Sequence, residues 1–208
     1  YEAEIDVSHP YFRAVLSALG VSQTPTAENF DRIAEGLPDK ALGSYLKAAS
    51  RMTVTPTMLQ AGVKSNSVPD RATVVCDVRA LPGQDDQFVK AELEHLLQGL
   101  GVSVEVNYTA VSNASPADAP FVSTLRSALA DALGPDVTFN FIPNLTVGFT
   151  DSRFLRPLGT QVYGFSPHHP DAERLRSGVH GNNEFMEIDS LLLRTKFALA
   201  LIQKTLGS

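Results

Sequence analysis

The chain has 208 residues, 43% of them hydrophobic and 19% charged, a globular composition large enough for one sizeable domain or two small ones and too apolar for disorder. A formal charge of −6 and a pI near 5.3 leave no basic footprint for a nucleic acid, and no run of Lys and Arg suggests a membrane surface, so neither partner is expected. The most apolar window, LLLRTKFALALI, is interrupted by Arg194 and Lys196 and is too short to span a bilayer.

The chain opens YEAEIDVSHPYFRAVLSALG without an initiator Met, from which a fragment of a longer protein is expected. HPYFRAVLSALG carries apolar residues at helical spacing and stops at Gly20, and ENFDRIAEGL and ALGSYLKAAS read as further short helices parted by LPDK. The period then changes. RMTVTPTMLQAGVKSNSVPD is rich in Thr and Val and RATVVCDVRAL alternates with β-branched residues, which predicts two strands joined by SNSVPD as a hairpin. DDQFVKAELEHLLQGLG has an acidic first turn and a glycine stop, the marks of a helix, and VSVEVNYTAV alternates as a strand. The pattern is an α+β layer, an antiparallel sheet with helices on one face.

SNASPADAP, residues 112–120, combines Pro, Ser, Ala and Asn without periodicity and marks a domain boundary, giving domains of residues 1–115 and 116–208. Beyond it PFVSTLRSALADALG predicts an amphipathic helix, VTFNFI a strand, DSRFLRPLG a short helix or turn, QVYGFSP a strand, and residues 188–206 a final helix. Alternating β and α elements suggest part of an α/β domain. The single cysteine, Cys76, cannot form an internal disulfide, and three Asn-x-Ser/Thr sequons at Asn107, Asn113 and Asn144 have no signal peptide ahead of them; a cytoplasmic location is expected.

Three local constellations could carry chemistry. In SGVHGNNE, His180 lies in a polar turn before the last helix, where an imidazole can reach a metal while a neighbour holds its other nitrogen; a lone loop histidine is equally an ordinary solvated residue. In NSVPDRATVVCDVR, Asn66 and Arg79 could face a common site if a hairpin returns its ends toward each other, or could be a turn residue and a surface charge. In VGFTDSRFLRPLG, the backbone and hydroxyls of Gly148, Thr150, Asp151 and Ser152 could hold a carboxylate, or Asp151 or Ser152 could cap the following turn. The adjacent His168 and His169 cannot easily chelate one ion, and His9 and His95 read as surface residues.

In this order the three stretches, TPTMLQAGVKSNSVPDRATVVCDVRALPGQ, GFTDSRFLRPLGTQVYGFSP and VHGNNEFMEIDSLL, resemble the di-zinc amidohydrolase and exopeptidase family that includes carboxypeptidase G, aminoacylase, acetylornithine deacetylase and succinyl-diaminopimelate desuccinylase. The resemblance runs from about residue 50 to the C-terminus. It implies a catalytic α/β domain interrupted by a smaller α+β lid that dimerises, with residues 1–115 most of the lid and 116–208 the returning end of the catalytic domain. It makes His180 a zinc ligand and Glu184 a supporting residue, places Asn66 and Arg79 on the lid facing the substrate, and lines a carboxylate pocket with Gly148, Thr150, Asp151 and Ser152. The expected activity is hydrolysis of an amide bond next to a free carboxylate, in an N-acyl amino acid or a small peptide. Two zinc ions would polarise the carbonyl and activate a bridging water. The family's glutamate general base, its HxD motif and its Glu-Glu pair have no match here. Two zinc ions need roughly five to seven protein ligand contacts, so the remaining ligands are expected outside this sequence and the chain alone is expected to be inactive. The family's lid histidine follows a glycine, which SHPYF does not, and GFTD stands where the family has GGTD. A different class of function is a non-catalytic lid and dimerisation module.

Overall fold

Cap residues and aromatic positions set the first helices. In the computed structural model, which describes residues 3–107, 112–169, 171–172, 177–179 and 181–207, the elements run α1 (Pro10–Ala18), α2 (Phe30–Gly36), α3 (Lys40–Ala49), β1 (Thr53–Ala61), β2 (Ala72–Arg79), α4 (Asp86–Leu96), α5 (Pro120–Leu133), α6 (Ser152–Leu155), a 3-10 turn (Arg156–Leu158) and α7 (Ile188–Leu206). His9 Nδ1 accepts from the Tyr11 amide at the start of α1. Asp39 accepts from the amides of Ala41 and Leu42 and Asp85 from that of Phe88, each satisfying amide donors that a first helical turn leaves without partners.

The chain divides into two compact units: Tyr1–Arg13, Gln23–Ala114 and Leu145–Gly159 form one; Ala14–Ser22, Ser115–Asn144 and Thr160–Ser208 form the other. The division at Ala114 falls within the linker expected at 112–120, but Leu145–Gly159 group with the first unit and Ala14–Ser22 with the second.

In the first unit, Phe12, Phe30, Leu46 and Met52 are almost fully buried, and the rings of Tyr11, Phe12 and Phe30 meet at centroid distances of 5.3 and 5.2 Å, the second pair edge to face. The helices α2 and α3 approach so closely that Gly43 lies against the Ala34 carbonyl. The Arg51 guanidinium bonds both carboxylate oxygens of Asp31, and Lys47 meets Glu35 at 2.7 Å. That bidentate pair holds the Asp31 carboxyl below its usual range.

β1 and β2 form an antiparallel hairpin with Thr53 opposite Arg79 and Ala61 opposite Ala72. The register passes from Pro56 opposite Cys76 to Met58 opposite Val75, leaving Thr57 as a bulge beside a proline that has no amide to give the ladder. The Thr57 hydroxyl donates to the Val75 carbonyl at 3.2 Å.

Among the described residues this hairpin is the whole sheet, so the chain shows a small antiparallel two-stranded sheet with helices. Where helices were expected on one face, the side chains of Thr55–Ala61 and Ala72–Asp77 are exposed on both. Residues 102–107, 137–142 and 161–167 alternate as strands should but form none, and residues 108–111 of the first lie outside the described residues. Alternation fixes which side chains share a face; a strand also needs a neighbour to complete its ladder.

In the second unit, α5 packs on α7 through Leu125, Ala128, Leu129 and Phe197, and the rings of Phe141, Phe165 and Phe197 follow one another at 5.1 Å steps. Side chains hold segment 161–167 in place of a ladder. The Ser115 hydroxyl donates to the Val162 carbonyl at 2.9 Å and accepts from its amide at 3.0 Å, and Tyr163 Oη donates to the Pro116 carbonyl.

Two outcomes follow from this packing. Gly43→Ala would drive a methyl into the Ala34 carbonyl, and a loss of about 1–3 kcal/mol in denaturant-measured stability is expected. Because Asp31 is depressed in the folded state, its stabilising contribution is present above about pH 4 and disappears as pH falls through its lowered pKa; Arg51→Gln should make stability less sensitive to pH across that acid window.

Candidate active site

The alternation of β2 puts Asp77 and Arg79 on one face, two residues apart. Asp77 Oδ2 accepts from Arg79 Nε at 2.6 Å. The paired Nη groups, the edge of the guanidinium that meets a carboxylate bidentately, have no acceptor among the described residues. The sequence reading missed Asp77, although Asp-x-Arg on an alternating strand is the signal for it.

Beside Arg79 stands the GFTDSR turn. The Arg79 Cζ lies 5.5 Å from the centroid of the Phe149 ring, and the Arg153 Cζ lies 4.6 Å from the Phe149 ring and 4.6 Å from that of Phe154. Two cations therefore attract one aromatic ring. Arg153 Nε is buried and has no hydrogen-bond partner among the described residues. Within the turn, Thr146 Oγ1 accepts from the Gly148 amide, Thr150 Oγ1 lies 2.5 Å from Ser152 Oγ and accepts from the Ser152 amide at 3.3 Å, and the Arg153 amide donates to the Thr150 carbonyl. Asp151 makes no side-chain cap and is exposed, so its carboxylate does not close α6. The Arg156 guanidinium holds Asn113 by both its backbone and side-chain oxygens, and the Tyr45 hydroxyl donates to the Leu145 carbonyl.

The first unit thus brings Arg79 to the turn containing Gly148, Thr150, Asp151 and Ser152. It does not bring Asn66 there. Asn66 lies in the exposed loop joining the strands, at the Ala61–Ala72 end of a ladder whose other end pairs Thr53 with Arg79, about 20 Å or more along β2. The expectation that a hairpin returns these two residues to one site fails because Asn66 belongs to the tip and Arg79 to the base.

His180 lies outside the described residues. Around it, the Gly181 amide donates to the Gly178 carbonyl at 2.7 Å and the Phe185 amide to the Ser177 carbonyl at 3.0 Å. Gly178 at φ 69° and Asn183 at φ 66° take the left-handed conformation, and a Cβ on Gly181 would stand 3.0 Å from the Gly178 oxygen. Glu184 sits in this turn, exposed. The Arg194 guanidinium, which also donates to the Pro167 carbonyl, lies against the His168 ring, and the His169 amide donates to the buried Ser190 hydroxyl, so both positions serve the packing of α7. Among the described residues no three His, Cys, Asp or Glu side chains converge as a metal site, and no helix is long and apolar enough to cross a membrane.

Comparison with known proteins adds to this geometry. Residues 15–105 match the M20 peptidase dimerisation domain. The chain is similar to N-fatty-acyl-amino acid synthase/hydrolase PM20D1 of Xenopus tropicalis, 31% identical over 170 residues that make up 79% of this chain and 32% of that protein. It is also similar to human aminoacylase-1, 25% identical over 151 residues, 65% of this chain and 35% of that one. Its fold resembles that of the M20 family metallo-carboxypeptidase Sso-CP2 from Sulfolobus solfataricus, with a TM-score of 0.56 at 20% identity, over 95% of this chain and 42% of that one. The chain therefore spans about a third of the length of the curated relatives it matches.

The Asp77–Arg79 pair can be tested directly. Asp77→Asn should shift the Arg79 Nε–H resonance in nitrogen-edited NMR and speed its solvent exchange about tenfold, since a charge-assisted bond becomes a neutral one.

Proposed function

The chain belongs to the M20 peptidase family, and from that premise we propose that it is part of a zinc-dependent hydrolase cleaving an amide or peptide bond next to a free carboxylate, in an N-acyl amino acid or a small peptide. The observation that carries this reading is the meeting of Arg79 with the GFTDSR turn, two stretches far apart in sequence. With Nε held by Asp77, the Arg79 fork presents its Nη edge to the substrate carboxylate, and the fixed planar charge orients it. Gly148, Thr150, Asp151 and Ser152, in the turn beside Arg79, would complete the carboxylate site, where the Thr150 and Ser152 hydroxyls, 2.5 Å apart, supply short polar groups. Orienting the substrate in this way contributes to rate by holding the scissile carbonyl in place.

The described residues do not by themselves form a metal site. In this proposal His180 supplies one zinc ligand, Glu184 supports its turn, and the other ligands for two ions and the general base lie outside the 208 residues. Residues 1–115 act as the lid and pair with a second copy, and residues 116–208 form the returning end of an α/β catalytic domain. A cytoplasmic location goes with this reading. The match of residues 15–105 to a dimerisation domain supports a second reading for the chain by itself, a lid and dimerisation module inactive alone.

The full-length protein should hydrolyse N-acyl amino acids. His180→Ala should cost at least about a hundredfold in rate and lower bound zinc, because a ligand is lost. His168→Ala and His169→Ala should keep zinc content and stay within a few-fold in rate. Equal zinc and activity in all three variants would remove His180 from the metal site.

A further inference from the structure

We propose that Phe149 determines specificity in this site, selecting substrates whose carboxylate-bearing residue has an apolar, preferably aromatic, side chain. This rests on the hydrolase reading above. Phe149 stands 66% exposed in a turn whose neighbours, Gly148, Thr150, Asp151 and Ser152, are small or polar. A loose aromatic side chain on a surface would have no fixed direction, but this ring is set by two guanidiniums, Arg79 at 5.5 Å and Arg153 at 4.6 Å from its centroid. Arg153 also lies over the Phe154 ring, and its buried Nε faces no acceptor among the described residues, so this guanidinium is packed among aromatics and serves to hold the platform.

The distances assign the occupant. A carboxylate on the Arg79 fork sits about 2.8 Å from the Nη atoms. With the guanidinium carbon 5.5 Å from the ring centroid, the side chain of a substrate whose carboxylate is held there can reach the exposed part of the ring. A benzyl or branched aliphatic group there covers apolar surface that water otherwise wets, and an aromatic one gains offset or edge-on ring contact. Two guanidiniums beside the ring repel a cationic side chain. An acidic side chain would compete with the substrate's own carboxylate for Arg79. The chemistry therefore favours an N-acyl derivative of a phenylalanine-like residue over those of alanine, lysine or aspartate.

The test compares kcat/KM of the full-length enzyme for N-acetylphenylalanine, N-acetylalanine and N-acetylaspartate, in the wild type and in Phe149→Ala and Phe149→Leu. The wild type should favour the phenylalanine substrate over the alanine one by about tenfold or more, Phe149→Ala should erase most of that ratio, and Phe149→Leu should restore part of it. A wild-type preference for aspartate, or a ratio unmoved by Phe149→Ala, overturns the proposal while the hydrolase reading stands. If the wild type hydrolyses no N-acyl amino acid, the hydrolase reading falls and this proposal with it.

Discussion

The ladder between β1 and β2 decides where Arg79 stands, and that ladder depends on what precedes it. A two-stranded hairpin is marginal in water, all the more so with both faces exposed over most of its length. Its base is anchored: Met52, the residue before β1, is buried at the end of a helical core built on Phe12, Phe30 and Leu46, and the Asp6 amide donates to the Ser50 carbonyl beside it. Because Thr53 pairs with Arg79, the ordered end of β1 transmits its position to the last residue of β2. The tip, which includes Asn66, has no comparable support.

The helices and the hairpin were legible because their signals are local. Aspartates at 39 and 85 announce the starts of α3 and α4, and the change from helical to alternating spacing near residue 53 announces β1. Residues 137–142 and 161–167 carried the same kind of alternation and form no strand, since alternation says nothing of whether a partner is at hand. The candidate site divides the same way. Asp77 could have been read from its spacing to Arg79, whereas the approach of Arg79 to Phe149 is a matter of tertiary packing that no periodicity encodes. Asn66 and Arg79 could be assigned to one hairpin from sequence, but their separation along it required the register.

The character of the site follows from the balance of charge and aromatic surface. Asp77 takes one edge of Arg79 and leaves the other open, while Arg153 is packed against Phe149 and Phe154. One guanidinium is thus available to a ligand and the second is committed to holding the ring. This division explains how two like charges can sit beside one phenyl ring: each gains attraction from the ring's negative face, and one is also partnered by a carboxylate.

The bulge at Thr57 uncouples the two ends of the hairpin in evolutionary bookkeeping. From Thr53 to Pro56 the strands run in one phase, and from Met58 to Ala61 in another. A lineage that gains or loses a residue beyond Pro56 can take up the change at this irregularity or in the connecting loop, leaving Arg79 on its face. A length change on the Thr53 side would instead turn every side chain up to Arg79 over. The distal half of the hairpin is therefore free to diverge in length and composition while the proximal half is held to a fixed frame.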